Sequence, residues 1–387
     1  MNNFEFLNPT KIIFGRGTQK EVGKYTVDYG QNVLVHYGSS YVKKSGLLEE
    51  LLNALKEKGV AYTELGGVVP NPRLSLIREG IRICREKKID FILAVGGGSV
   101  IDSAKAIASG VAYEGDVWDF YTSEKRPQSV LPIGVVLTIP AAGSESSDGT
   151  VVTNEEGPDK RSFVSPLVFP KFAILNPEMC YTIPHAPAAA GGADILAHIL
   201  ERYFSKIAHT DFSDRMCEAA MKTIVTNLPE ALHRKTDYDM WAEVMWTGTV
   251  AHNGLLGKGK QEDWASHAIE HEVSAIYDIA HGAGLAIIFP AWMKYVYKED
   301  VTRFVQFAQR VWQVELPPQE PERIALEGIR RTEEFFRSLG LATRFSEMKI
   351  GEEHFKKMAE KACQNGTQGS FKKLAAEDVI KIFELAK

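Results

Sequence analysis

The sequence predicts two domains, a doubly wound α/β domain with a parallel sheet followed by an all-helical one. Three observations lead there. Short apolar runs alternate with helix-length amphipathic stretches through the first part, a triple glycine follows the most apolar of those runs, and beyond about residue 180 long helical patterns take over. Strands separated by helices of this length imply βαβ units with both sheet faces covered.

The elements can be justified in order. KIIFG and NVLVHYG are β-rich runs bounded by glycine, and SGLLEELLNALKEKG is amphipathic at helical period. VAYTELGG follows as a strand, RLSLIREGIRICREKK as a helix, and DFILAVGGG as a buried strand. LPIGVVLTIP and RSFVSPLVFPKFAILNP extend the β-rich region. DFSDRMCEAAMKTIVTNLPEALHRK, ERIALEGIRRTEEFFRSLG and AAEDVIKIFELAK then carry helical periodicity. The Pro- and Ala-rich YTIPHAPAAAGG lies where the texture changes, so the expected domains are 1–180 and 181–387.

A chain of 387 residues exceeds one ordinary core. With 44% hydrophobic and 25% charged residues it has a globular composition, and a net charge of -5 offers no footprint for nucleic acid. No apolar run approaches the ~20 residues that span a bilayer. MNNFEFLNPTKIIFG lacks the basic start and apolar stretch of a signal peptide. Cys84, Cys180, Cys217 and Cys363 form no CxxC pair, so the expectation is a reduced, cytoplasmic protein.

Gly96, Gly97, Gly98 and Ser99 follow an apolar run and precede VIDSAKAIAS, which can start a helix. Glycines there let backbone N–H groups approach a phosphate, and the helix dipole favours its charge. Ile101 stands where a Rossmann fingerprint needs its third glycine, and no Gly-Lys-Ser/Thr makes a Walker loop. Tight packing explains such a turn equally well. TIPAAGSES, from Thr138, is a second small-residue turn that could line the same crevice. After NVLVHYG the chain reads Gly38, Ser39, Ser40, with Lys43 and Lys44 beyond and no carboxylate to repel a 2′-phosphate. NADP(H) is therefore the slightly favoured nicotinamide cofactor, with NAD(H) the other, and the start of a helix with a solvated basic face explains the same residues equally well.

Asp194 and His198 sit four apart in a helical segment, on one face and within reach of one ion. His267 and His271 repeat the spacing, and His281 follows near a Gly-rich turn. One carboxylate with imidazoles suits a divalent metal such as Zn²⁺ or Fe²⁺. Spacing does not choose between His271 and His281 as partner of His267, and His185 and His252 stay in play.

Together, PNP at Pro70–Pro72, GGGSxxDxxK from Gly96 to Lys105, TxxxxGSE from Thr138 to Glu145, DxxxH at Asp194–His198 and the histidines around AHGAG resemble the iron-dependent (group III) alcohol dehydrogenases. The resemblance runs end to end and is nearest the NAD(P)H-dependent butanol dehydrogenase and broad aldehyde reductase branch. It implies a Rossmann-like dinucleotide-binding domain with an all-α metal-binding domain, a dehydroquinate synthase-like architecture. It also implies Asp194, His198, His267 and His281 as metal ligands and His271 as a proton-transfer candidate near the nicotinamide. Gly96–Ser99 would bind the pyrophosphate, Asp102 would lie toward the nicotinamide, and Gly38, Ser40, Asn71, Thr138 and Lys160 would contact the cofactor. Ala141-Ala142 depart from a Gly-Thr common in the second turn, which removes a hydroxyl contact.

The implied activity is hydride transfer between NAD(P)H and short-chain aliphatic aldehydes or primary alcohols. A polyol (glycerol-type) dehydrogenase of the same fold is the alternative, and a metal-dependent hydrolase the remoter one, which would leave GGGSVIDSAK without a job. FEFLNPTKIIF is the expected edge of a homodimer.

Overall fold

A computed structural model describes residues 1–38, 41–157 and 159–387; the cofactor expectation on Ser40 lies outside the described residues. The chain divides into two compact units, Leu7–Ile183 and Met1–Phe6 together with Pro184–Lys387. The first six residues thus belong with the helical unit, anchored where the Met1 ammonium donates to the Ala208 carbonyl at 2.9 Å.

In the nucleotide unit the strands are β1 (Lys11–Phe14), β2 (Asn32–Tyr37), β3 (Ala61–Leu65), β4 (Phe91–Gly96), β5 (Ile133–Leu137), β6 (Gly149–Asn154), β7 (Asp159–Val164) and β8 (Phe172–Leu175). Its helices are α1 (Val22–Thr26), α2 (Tyr41–Lys44), α3 (Leu47–Glu57), α4 (Leu74–Lys87), α5 (Gly98–Gly110) and α6 (Asp119–Thr122). Six parallel strands pair in the order β1-β8-β5-β4-β2-β3. The inner strands β4, β5 and β8 read FILAVG, IGVVL and FAIL and are buried throughout, as strands covered on both faces must be. β2 is followed by β3 at the edge, and the chain then returns to lay β4 on the other side of β2. That reversal opens a crevice at the carboxyl ends of β2 and β4, where doubly wound sheets bind ligands.

The run RSFVSPLVFPKFAILNP is not one extension of the sheet. Its first part is β7, paired antiparallel with β6 in a separate hairpin, and only FAIL joins the main sheet as β8. The physical difference is burial: β7 buries only Lys160 and Phe163, whereas β8 has no open position.

The helical unit comprises α7 (His185–Tyr203), α8 (Asp211–His233), α9 (Tyr238–His252), α10 (Ala265–Tyr277), α11 (His281–Val296), α12 (Val301–Arg310), α13 (Pro321–Ser338), α14 (Phe355–Ala362) and α15 (Ala376–Leu385). The Pro- and Ala-rich segment opens α7, with Pro187 in the first turn, where a missing N–H costs little. From Ala188 to Tyr203 this helix is buried on every side, packed against α8, α9 and α11. Apolar residues explain most of that; Asp194, His198, Glu201 and Arg202, buried on the same helix, require polar partners. The Gly-rich stretch at His281 is the first turn of α11 rather than a loop.

Candidate metal and cofactor sites

In the nucleotide unit, Gly97 is the N-cap of α5, and Gly97, Gly98 and Ser99 are half-open to solvent at the end of β4. The first N–H groups of a 13-residue helix are presented there, a geometry suited to a phosphate. Packing also demands the glycines: a Cβ on Gly97 would stand 2.3 Å from Ile139 Cγ2, and one on Gly98 would stand 2.9 Å from the Ala142 Cβ. The second turn lies against the first, with the Thr138 N–H donating to the Gly96 carbonyl at 3.1 Å. Gly38, ending β2, sits across the switch point, where an added Cβ would meet Val100 Cγ2 at 3.4 Å.

Asp102 is half-buried on α5, accepting from Ser144 Oγ at 2.6 Å and from the Val151 N–H at 3.0 Å. Burial raises its carboxyl above the ordinary range, with Lys105 and these donors opposing. Asn71 is buried at φ 56°, a left-handed conformation that asparagine tolerates. Its segment is pinned by the Thr153 N–H donating to the Pro72 carbonyl at 2.9 Å. Lys160 is buried on β7, opposite Thr153.

Sequence reasoning missed two features here. Lys105 enters the sequence reading only as the end of GGGSxxDxxK, with no role given to it, yet it is fully buried. Its ammonium donates to the carbonyls of Ser144, Ser147 and Gly149 at 2.8–2.9 Å and to Ser144 Oγ at 2.9 Å. Burial lowers its pKa to about 8. It clamps the second turn beside α5. Sequence also found no carboxylate near the end of β2, but β3 brings one: Glu64 accepts from the Tyr37 hydroxyl at 3.0 Å and lies 3.8 Å from the Lys43 ammonium.

In the helical unit, α7 carries Asp194 and His198, α10 carries His267 and His271, and His281 opens α11. Ligand atoms of Asp194, His267 and His281 lie within 4.8 Å of one another; His267 Nε2 and His281 Nε2 stand 4.0 and 3.9 Å from Asp194 Oδ1. About 4 Å is twice a metal–ligand bond of ~2 Å, so the spacing would suit one shared ion. His198 adjoins them, its Nδ1 3.2 Å from Asp194 Oδ1 and its ring 4.6 Å from that of His267. Asp194 Oδ1 and His267 Nε2 are buried with no hydrogen bond, the kind of orphaned pair that a cation satisfies. Burial drives the His267 pKa well below the ordinary imidazole value, with the neighbouring histidines adding to it, and neutral imidazole is the ligand form.

Close helix approach makes this possible. A Cβ on Gly282 would meet the Ala190 carbonyl oxygen at 1.9 Å, so α11 approaches α7 only with glycine there, and one on Gly284 would meet Glu270 Oε1 at 2.4 Å and displace that carboxylate. Among the described residues a second group, Glu270, His271 and His281, also has metal-ligand spacing. His271 is half-buried, its ring 5.3 Å from that of His281. His252 lies edge-on to His198 at 4.3 Å, and His185 is exposed at the start of α7.

Residues 9–177 match the family model of the iron-containing alcohol dehydrogenases, and residues 188–387 match the C-terminal model of the Fe-containing alcohol dehydrogenase family. The chain is 45% identical to the probable NADH-dependent butanol dehydrogenase 1 of Bacillus subtilis, over 99% of each chain. It is 39% identical to the NADPH-dependent aldehyde reductase YqhD of Escherichia coli, over 90% of this chain and 89% of that one. The crystal structure of NADH-dependent butanol dehydrogenase A from Thermotoga maritima is similar with a TM-score of 0.96 at 37% identity, over 100% of this chain and 99% of that one.

Proposed function

Because the chain belongs to the iron-containing alcohol dehydrogenase family, we propose that Asp194, His198, His267 and His281 together hold the divalent metal of a nicotinamide-dependent alcohol dehydrogenase. The protein is an oxidoreductase, an alcohol dehydrogenase and aldehyde reductase. The observation that carries the ligand assignment is the buried Asp194 Oδ1 and His267 Nε2, both lacking hydrogen bonds and 4.0 Å apart. Bound there, a divalent metal supplies Lewis-acid polarisation of the substrate C–O bond, and the nicotinamide supplies hydride. The protein's own part is to orient the three imidazoles and surround them with the apolar bulk of Trp264 and α11.

Gly96–Ser99 bind the cofactor's pyrophosphate, Asp102 lies toward the nicotinamide, and Gly38, Asn71, Thr138 and Lys160 contact the cofactor, the same role being proposed for Ser40, outside the described residues. His271 serves in proton transfer. If His271→Ala left both the rate and its pH profile unchanged, that role would be wrong. Substrates are short-chain aliphatic aldehydes and primary alcohols, in line with the butanol dehydrogenase and aldehyde reductase names of the relatives. Both cofactors are used. Ser40 and Lys43 favour NADPH, while Glu64 opposes a 2′-phosphate. A catalytic efficiency tenfold higher with NADH would end the NADPH preference. Fe²⁺ and Zn²⁺ both suit the donor set.

The protein works as a cytoplasmic homodimer: among the described residues β1 is an edge strand of the sheet, with Leu7 and Phe14 exposed beside it. A monomer by light scattering would refute this. No helix among the described residues is long and apolar enough to cross a membrane. The deciding assay is oxidation of NADPH and NADH with butanal by chelated protein, before and after Zn²⁺ or Fe²⁺ is restored. Turnover returning with metal supports the reading; none across a panel of aldehydes overturns it.

A further inference from the structure

All three of the histidines assigned as ligands have Nδ1 already committed, and to different partners. His198 Nδ1–H donates to the carbonyl of Asp194 on its own helix at 2.9 Å. His267 Nδ1–H donates to Glu201 Oε1 at 2.7 Å, and His281 Nδ1–H to Glu270 Oε2. Both carboxylate side chains are fully buried, so no solvent competes for them. We propose that Glu201 and Glu270 are positioning residues of the metal centre, each locking one imidazole in the tautomer that presents a bare Nε2 to the ion. This rests on the metal assignment above and adds two residues to it.

The two carboxylates are themselves held. Glu201 Oε1 also accepts the His267 backbone N–H at 3.1 Å, and Oε2 accepts the Trp264 N–H at 2.7 Å. Trp264, the N-cap of α10, adopts φ 65°, a conformation that bulky residues avoid. The backbone at the start of α10 thus aims two N–H groups at one carboxylate. Burial and Asp263 push that carboxyl upward, while the two backbone donors hold it down. Glu270 accepts from Ser274 Oγ on its other oxygen, in the space that Gly284 leaves open.

The wiring crosses between helices. Glu201 follows His198 by three residues and Glu270 follows His267 by three, yet each serves the histidine on the next ligand-bearing helix. α7 therefore orients the ligand of α10, and α10 orients the ligand of α11. A carboxylate behind an imidazole fixes its ring and raises its basicity, and such outer partners are worth about 10- to 100-fold in metal affinity. A core role alone, satisfying buried polar atoms, would change folding but not the affinity of the folded protein.

The test measures Co²⁺ affinity of the metal-free full-length protein by competition with a chromophoric chelator, in wild type, Glu201→Gln, Glu270→Gln and His267→Ala. Glutamine offers one acceptor where the site uses two. The expected result is a dissociation constant raised about 10- to 100-fold in each glutamine variant, with the cobalt ligand-field spectrum shifted and the apo near-UV dichroism retained. Affinity within twofold of wild type in both glutamine variants overturns the inference while leaving the metal site intact. A wild type that binds no Co²⁺, or binds it equally after His267→Ala, overturns the metal reading itself. Should either variant not fold, ring ¹⁵N shifts of metal-free wild type decide: His267 and His281 must be protonated at Nδ1, and protonation at Nε2 refutes the proposal.

Discussion

At the glycine turn the nucleotide unit works by leaving atoms out, whereas the proposed metal shell of the helical unit depends on atoms supplied. A Cβ on Gly97 would collide with Ile139, so a phosphate placed there would meet backbone N–H groups and a helix end. Around Asp194 the proposed ligands are side chains from three helices whose orientations depend on one another. One region is therefore sensitive to additions and to the scaffold beneath it, the other to single deletions.

The largest expected effect follows from that contrast. Asp194→Ala or His267→Ala should lower bound metal from one per chain toward zero, and turnover by about a thousandfold, since Lewis-acid stabilisation is worth several kcal/mol. Metal analysis alongside kcat checks it. Undiminished turnover without metal would erase the distinction between the two regions.

Lys105→Met attacks the scaffold side. It strips the ammonium from three buried carbonyls and a hydroxyl, leaving them unmatched in the interior. Breaking a buried charged contact of this kind costs about 3 kcal/mol or more. The expected readouts are a lower urea midpoint and weaker NADPH binding, with metal stoichiometry unchanged. An unaltered midpoint would mean the clamp is idle.

Legibility in the sequence divides along the same line. Asp194 and His198 were readable because a helix of period 3.6 sets residues four apart side by side, and the buried strands because FILAVG and FAIL admit no polar face. Glu201 and Glu270 were not, because each serves a histidine on another helix and no spacing rule encodes that crossing. Lys105 was hidden for a related reason: three carbonyls that converge only after folding make it internal. Glu64 reaches the end of β2 through strand pairing, a contact between chain segments some 30 residues apart that composition near β2 could not reveal.

Beneath the glycine turn, His36 gives the nucleotide unit a pH dependence. It is fully buried, its Nδ1–H donating to the Leu65 carbonyl at 2.9 Å and its Nε2 accepting from Ser103 Oγ at 2.8 Å. Burial lowers its pKa to about 4 from 6.5. Between those values the unfolded chain binds a proton that the folded protein does not. Its contribution to stability is thus complete above pH 6.5 and falls as pH drops toward 4, by about 3 kcal/mol in all. Urea midpoints at pH 7 and pH 4.5 should diverge, and His36→Gln should narrow the gap. An equal gap in the variant would assign the acid sensitivity elsewhere.

The smallest effect sharpens the comparison most, because it imports the nucleotide unit's sensitivity to additions into the metal shell. Gly284 lies inside α11, where glycine is unfavourable to the helix by about 1 kcal/mol relative to alanine. Helix propensity alone therefore predicts that Gly284→Ala stabilises the protein. The added Cβ would stand 2.4 Å from Glu270 Oε1, so the carboxylate must swing away, and with it the acceptor behind His281 Nδ1. The expected outcome is apo stability within about 1 kcal/mol of wild type, since crowding and propensity oppose each other. Metal affinity should nevertheless fall about tenfold. Chelator competition and thermal melting of the same metal-free samples separate the two. If affinity held while stability rose, Gly284 would be a mere concession to packing, and the coupling between α10 and α11 would not reach the ion.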